Sequence, residues 1–231
     1  MEFPTDIKLI TFDLDDTLWP CMPVILRAET ILHAWLEQHA PKLAAEYDVE
    51  ALRNHRKSVA RELPEIAHNL TLTRQISLQR LLKKYEYDIN LADEAVNRFR
   101  IERNKVTPYD DVTQALEVLG EHYQLIAVTN GNADINQTPL KGYFQHALTA
   151  ELVGASKPNP AIFLEAMRLS QTRPEQTLHI GDNPETDIVA AHEAGIRSIW
   201  LNRHQHPWPD GLQPALHEIN NLDQLLTLLV K

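Results

Sequence analysis

Ile7-Lys8-Leu9-Ile10-Thr11-Phe12-Asp13-Leu14-Asp15-Asp16-Thr17-Leu18-Trp19 is the stretch on which the reading of this chain turns. Its first half is apolar and β-branched, the composition of a short buried strand, and it breaks off into three carboxylates within four positions. Carboxylates this close repel unless a cation or a shared proton neutralises them, so the cluster either faces solvent or binds a divalent metal. In open α/β sheets ligands bind beyond the carboxyl ends of the strands, and Asp13 falls at that end of this one. Alone, Asp-x-Asp-x-Thr is short enough to occur by accident, so its meaning depends on what the rest of the chain supplies.

Downstream the texture changes to that of a helical block. From about Pro23 to Asn104 there is no glycine, and Ile25, Ala28, Ile31, Leu32 and Trp35 recur at helical spacing. Breaks near Pro41, around Asp48, between Pro64 and Asn69 and at Asp88 to Asn90 divide the block into about four helices. Beyond Thr107-Pro108-Tyr109 helices and strands alternate. A helix over 111–119 ends at Gly120, and a strand over 123–128 stops at Thr129-Asn130-Gly131-Asn132. A strand over 147–152 leads into a loop carrying Lys157, followed by a helix over 161–169. A strand over 177–180 runs into Gly181-Asp182-Asn183-Pro184-Glu185-Thr186-Asp187 and a helix closed by Gly195; a strand over 197–201 and a helix over 222–229 complete the chain. Such alternation implies an α/β fold, a doubly wound parallel sheet covered on both faces. The core is expected over residues 1–19 and 105–231, with the helical block 20–104 inserted.

Composition bounds the partners. With 231 residues, 43% hydrophobic and 23% charged, the chain can bury a substantial core. A net charge of −10 speaks against nucleic acid or an anionic membrane surface, which require a basic face, and points to a small partner. Cys21 is the only cysteine and cannot form an internal disulfide. No basic N-terminal region precedes an apolar run, and no stretch has transmembrane length, so the expectation is a reduced, cytoplasmic protein, monomeric or weakly self-associating.

The polar strand ends pool three or four carboxylates, a hydroxyl, an ammonium and several loop amides, a set suited to phosphoryl transfer with magnesium. Mg²⁺ takes oxygen ligands, the cation and Lys157 offset the charge of phosphoryl oxygens, and a carboxylate can attack phosphorus. The chain resembles the haloacid dehalogenase-like hydrolase superfamily, whose motifs are matched in order by Asp13-x-Asp15-x-Thr17, Thr129, Lys157-Pro158 with Ile162-Phe163, and Gly181-Asp182-x-x-x-x-Asp187. The resemblance implies that Asp13 is the nucleophile and that its carboxylate, the Asp15 carbonyl and Asp182 ligate Mg²⁺. It also implies that the Asp15 side chain is the general acid and base, and that Thr129, Asn130 and nearby amides bind phosphoryl oxygens. By the same resemblance Lys157 neutralises Asp13 and the phosphate, and Asp187 orients a metal-bound water or Lys157.

The superfamily's founding dehalogenases lack an aspartate two positions after the nucleophile, so Asp15 favours a phosphatase. The inserted helical block matches the position of a cap domain, which excludes water and contacts substrate. Within the superfamily the chain resembles capped bacterial flavin mononucleotide phosphatases, through Pro23-Val24-Ile25-Leu26-Arg27, Pro64-Glu65-Ile66 with His68 and Arg74, and Thr129-Asn130-Gly131-Asn132. That resemblance makes Arg27, His68 and Arg74 candidate substrate contacts and sets Trp19 beside a substrate ring, while packing or solvation remains the alternative for each. A nucleoside 5′-monophosphate or sugar phosphate is the competing substrate class, and a non-catalytic binding protein the competing class of function. His179 reads as a hydrogen-bonded core histidine, and His204-x-His206 as a solvated loop rather than a metal site.

Overall fold

The structure, a computed structural model, describes residues 6–230. In chain order its elements are β1 (Leu9–Phe12), α1 (Cys21–His39), α2 (Pro41–Glu46), α3 (Val49–Glu62), α4 (Leu70–Lys84), α5 (Leu91–Arg103), α6 (Val112–Gly120) and β2 (Gln124–Thr129). They continue with β3 (His146–Thr149), α7 (Ala150–Val153), α8 (Ala161–Ser170), β4 (Thr177–Gly181), α9 (Ala190–Glu193), β5 (Arg197–Leu201), β6 (His217–Ile219) and α10 (Leu222–Leu229). Two compact units result. One runs to Pro20 and comprises Thr107–Gly131 and the chain from Thr138 onward; the other is Cys21–Val106 with Asn132–Gln137.

The first unit is built on a six-stranded parallel sheet in the order β3-β2-β1-β4-β5-β6 flanked by helices, the doubly wound arrangement expected of alternating strands and helices. All four residues of β1 are buried, which is why it reads as a run of Leu9, Ile10 and Phe12 broken only by Thr11 rather than as an alternating one. Leu9, Ile126, Val128, Ile162, Phe163, Ala166 and Ile196 close one packed layer against the sheet. Phe12 stands opposite Ala127 on one side and Ile180 on the other. Asp13, Val128 and Gly181 therefore stand abreast at the next register position, Asp13 just past the end of β1 and the other two still paired within the sheet, with Thr129 closing β2 and Asp182 leaving β4 one residue later.

Three local features depart from the sequence reading. The third strand stops at Thr149 rather than reaching residue 152, because the Thr149 hydroxyl accepts from Leu152 N at 3.2 Å and caps α7. Gly154 then ends that helix in the left-handed conformation, φ +80°. Pro184–Asp187, expected to lie in the polar segment before a helix, already winds as part of a π-helix over Pro184–Val189, started by Asn183, whose side chain accepts from Glu185 N and Thr186 N at 3.0 Å. The edge strand β6 follows a polar loop and has no counterpart in the sequence reading.

The helical unit holds five α-helices, α1 to α5, and a short 3₁₀ turn at Pro64–Ile66, rather than about four helices. The expected breaks have physical causes: Pro41 opens α2, Asp48 accepts from Ala51 N at 2.7 Å to cap α3, and Asn69 accepts from Leu72 N at 2.8 Å to cap α4. Leu32, Leu36, Leu43, Leu78, Leu82 and Phe99 form its core. Among the described residues no helix is long and apolar enough to cross a membrane.

Candidate active site

The carboxyl ends of β1, β2 and β4 supply the site, within the sheet unit. Asp13 N donates to Ile180 O at 2.9 Å, extending the pairing of β1 and β4 by one residue and fixing the backbone beneath the Asp13 carboxylate. The chain then turns sharply. Asp16 takes φ +58°, which an aspartate tolerates better than most residues, and Asp16 N donates to Trp19 O at 2.8 Å. The same turn lets Trp19 Nε1 donate to Asp15 Oδ1 at 2.9 Å. Trp19 is fully buried, so its indole holds the Asp15 carboxylate in place instead of offering a face to a ligand.

Lys157 is the centre of the site. Its Nζ donates to Asp13 Oδ1 at 2.6 Å, to Asp187 Oδ1 at 2.6 Å and to Val128 O at 3.1 Å, and the side chain is buried. The Lys157–Pro158 peptide bond is cis. The loop is held from β2: Asn130 Oδ1 accepts from Lys157 N at 2.7 Å while Asn130 Nδ2 donates to Lys157 O at 2.9 Å. The Asn130 side chain is thus committed to positioning Lys157. Thr129 Oγ1, beside it, accepts from Gly131 N at 2.9 Å and shapes the turn that follows β2.

Asp187 arrives from the π-helical turn. Its Oδ2 accepts from Asn183 N at 2.9 Å, so Lys157 and Asn183 between them engage both its carboxylate oxygens. Gly181 is required for this approach: a Cβ there would lie 2.6 Å from Asp187 Cβ and nearer still to its carboxylate. His179, in the middle of β4 and fully buried, places Nε2 3.4 Å from Asp187 Oδ1 and Nδ1 3.0 Å from Thr11 Oγ1. Asp182 Oδ1 accepts from Thr17 Oγ1 at 2.9 Å, and Trp200 Nε1 donates to Asp182 O at 2.7 Å. Arg203 completes the frame, with Nε donating to Thr17 O at 3.0 Å and one arm to Asp111 Oδ2 at 2.9 Å.

These carboxylates are electrostatically unequal. Burial is the largest influence on Asp13 and raises it well above the usual carboxylate range; Lys157 opposes this, and Asp187 and Asp182 add to it. Asp182 is pushed up to about 7, by burial first and then by Asp187, with the Thr17 hydroxyl pulling the other way. Burial works against the charge of Asp187 too, yet Lys157 and His179 outweigh it and hold the carboxyl below its ordinary value. Lys157 itself is held above the ordinary range, since Asp13 and Asp187 together outweigh burial.

The negative charge of Asp13 and Asp182 thus exceeds what Lys157 compensates. One carboxylate oxygen from each of Asp13, Asp182 and Asp187 lies within 4.8 Å of the others, the oxygen-only donor set that suits a hard divalent cation. With both oxygens of Asp187 already engaged, Asp13 and Asp182 are the pair open to such an ion. The residues present fit Mg²⁺.

Asp13, Asp15, Thr129, Asn130, Lys157, Asp182 and Asp187 therefore meet at one edge of one unit. Arg27 and Arg74 belong to the helical unit. Arg27 donates to the carbonyls of Glu102 and Lys105, and Arg74 is buried over the ring of Phe99 and beside Glu29. Sequence reasoning missed Asn183 and Arg203, which act through a capping contact and a distant loop. An Asn before Pro184 was the one visible signal for the former.

The same arrangement of motifs is shared with known proteins. A family model for haloacid dehalogenase-like hydrolases matches residues 7–195. Over 236 aligned positions the chain is 32% identical to the 5-amino-6-(5-phospho-D-ribitylamino)uracil phosphatase YigB of Escherichia coli (strain K12), covering 96% of each protein. It is 28% identical to a glyceraldehyde 3-phosphate phosphatase of Methanopyrus kandleri, over 87% of this chain and 86% of that one. The crystal structure of a 2-haloacid dehalogenase from Pseudomonas syringae pv. Tomato DC3000 superposes with a TM-score of 0.91 at 40% identity, covering 96% of this chain and 98% of that one. With the family match running from β1 through the loop that carries Asp182 and Asp187, the chain belongs to the haloacid dehalogenase-like hydrolases.

Proposed function

We propose that this protein is a Mg²⁺-dependent phosphatase that hydrolyses a small phosphomonoester through an aspartyl-phosphate on Asp13. The observation that carries the reading is the buried Lys157 ammonium 2.6 Å from Asp13 Oδ1, with the Asp15 carboxylate held two residues further along the same loop. Asp13 attacks phosphorus, and the bond from phosphorus to the alcohol oxygen breaks. Asp15 gives its proton to the departing alkoxide and then takes one from the water that hydrolyses the aspartyl-phosphate, returning Asp13 to its carboxylate. Lys157 offsets the charge of Asp13 and of the incoming phosphoryl group, Thr129 and the amides around Asn130 receive phosphoryl oxygens, and Asp187 orients Lys157. Asp13, Asp182 and the carbonyl of Asp15 would hold Mg²⁺, which supplies charge neutralisation for the phosphoryl oxygens when bound.

The substrate favoured here carries a 5-phosphoribityl chain on a ring containing a pyrimidine. Flavin mononucleotide has that chemistry, and so has the compound named for the Escherichia coli relative. A nucleoside 5′-monophosphate or a sugar phosphate is the runner-up within the same mechanism, the latter supported by the Methanopyrus relative.

A second reading, 2-haloacid dehalogenase, is favoured by one observation, the 40% identity to the Pseudomonas structure. Asp15 weighs against it, because a halide leaves without a proton and needs no acid. A panel containing flavin mononucleotide, the ribitylaminouracil phosphate, pyrimidine 5′-monophosphates, glyceraldehyde 3-phosphate and 2-chloropropionate separates the readings. Phosphate release without chloride release supports the phosphatase; chloride release without phosphate release overturns it.

A further inference from the structure

The core of the helical unit contains a charge imbalance that folding alone does not explain. Glu29, on α1, is 4% exposed, and three arginines surround it: Arg53 and Arg56 from α3 and Arg74 from α4. Arg53 takes Glu29 Oε2, with Nε at 3.0 Å and a second nitrogen closer still. The other oxygen is shared by Arg56 at 4.0 Å and Arg74 at 3.7 Å, both beyond hydrogen-bond distance. One carboxylate thus answers three guanidinium groups. Glu50, exposed in the first turn of α3, acts on Arg53 and is not among the charges felt by Arg56 or Arg74.

Two further observations point to a missing anion. The Nε donors of Arg56 and Arg74 are buried without a hydrogen-bond partner, an arrangement that is costly unless an acceptor satisfies them. Arg74 is also fixed in orientation, its guanidinium lying 3.5 Å over the centroid of Phe99. Burial, and after it the neighbouring charge of Arg56, push Arg74 down to about 9. The side chains of Arg53, Arg56 and Arg74 retain 22%, 18% and 10% of their exposure, so an ion from solvent can reach the cluster.

We propose that Arg53, Arg56 and Arg74, arranged around Glu29, form an oxyanion-binding site in the helical unit that takes a phosphoryl group. Guanidinium forks match the oxygens of a phosphoryl group, and its dianionic form at neutral pH balances the two uncompensated charges, which a carboxylate or chloride does not. The group arrives either as free inorganic phosphate or on an organic molecule. The site is built from residues of the helical unit alone, and the inference holds whether or not the phosphatase reading does.

The test reads the arginines themselves. ¹H–¹⁵N spectra of the side-chain Nε groups are recorded for the full chain while inorganic phosphate, then methylphosphonate, is added at constant ionic strength. Saturable shifts of the Arg56 and Arg74 resonances are expected, and in Arg56→Gln the Arg74 shift needs about tenfold more phosphate. Glu29→Gln, which removes the competing carboxylate, tightens phosphate binding by about tenfold in the protein that folds. Equal response to both probes identifies a phosphoryl group on carbon; response to phosphate alone identifies the free ion. Resonances unmoved by either probe, or shifts unchanged by Arg56→Gln, overturn the proposal and leave a purely structural ion cluster.

Discussion

Asn130 grips Lys157 by its backbone, accepting from Lys157 N at 2.7 Å and donating to Lys157 O at 2.9 Å through one side-chain amide. This pair joins the end of β2 to the loop before α8 and sets where the Lys157 ammonium emerges. Asn130→Ala leaves the ammonium its contacts to Asp13, Asp187 and Val128 O but frees the Lys157 backbone that carries it. Turnover is expected to fall about 10–100-fold with a smaller change in KM, because a displacement of about 1 Å at a reacting group has that effect. Steady-state kinetics check this, and Asn130→Asp, which keeps only the acceptor, should fall between the two.

Lys157→Met removes the charge while keeping much of the side-chain volume. Asp13 and Asp187 then share a buried pocket without their cation, and removing one partner of a buried ion pair typically costs about 3–5 kcal/mol. Urea unfolding in the absence of metal should show a loss of that size. The loss should shrink as pH falls, since protonation of either carboxyl removes the repulsion. A variant as stable as wild type at neutral pH would show that Lys157 does not hold these carboxylates together.

Asp182 sits at about 7 in the metal-free protein, so a proton competes with Mg²⁺ at the same carboxylate. Above that pH Asp182 is ionised and adds no further pH dependence; below it, displacing its proton lowers affinity by up to about tenfold per pH unit. Calorimetric titration of Mg²⁺ across a pH series checks the bend. Thr17→Val removes a hydrogen bond that lowers Asp182, and should move the bend to higher pH.

The parts of the chain legible in its sequence are those where one local signal suffices. Leu9 to Phe12 is buried throughout and apolar except for Thr11, because both faces of the central strand are covered, and Asp13 breaks that run where the strand leaves the sheet. Asp182 is legible for the same reason, following the apolar strand that ends at Ile180, while Lys157 and Asp187 are legible as members of short motifs in the segments after their strands. The helix breaks at Pro41, Asp48 and Asn69 were visible because each is a capping or proline signal read within a few residues.

What stayed hidden depends on distance. Nothing near Asn130 indicates that its amide would close on residue 157, and nothing near Glu29 distinguishes it from the solvated acids of neighbouring helices. Its burial follows from α1, α3 and α4 meeting. The edge strand His217–Ile219 is three residues long, and its pairing with β5 rather than its composition makes it a strand.

The central claim is that Asp13 attacks phosphorus with help from a bound cation. Its most direct test is phosphate release from the preferred ester by wild type with Mg²⁺, by wild type with chelator, and by Asp13→Asn with Mg²⁺. Wild type with Mg²⁺ should turn over, and each of the other two should lose about three orders of magnitude or more. An Asp13→Asn protein that releases phosphate at the wild-type rate would contradict the account.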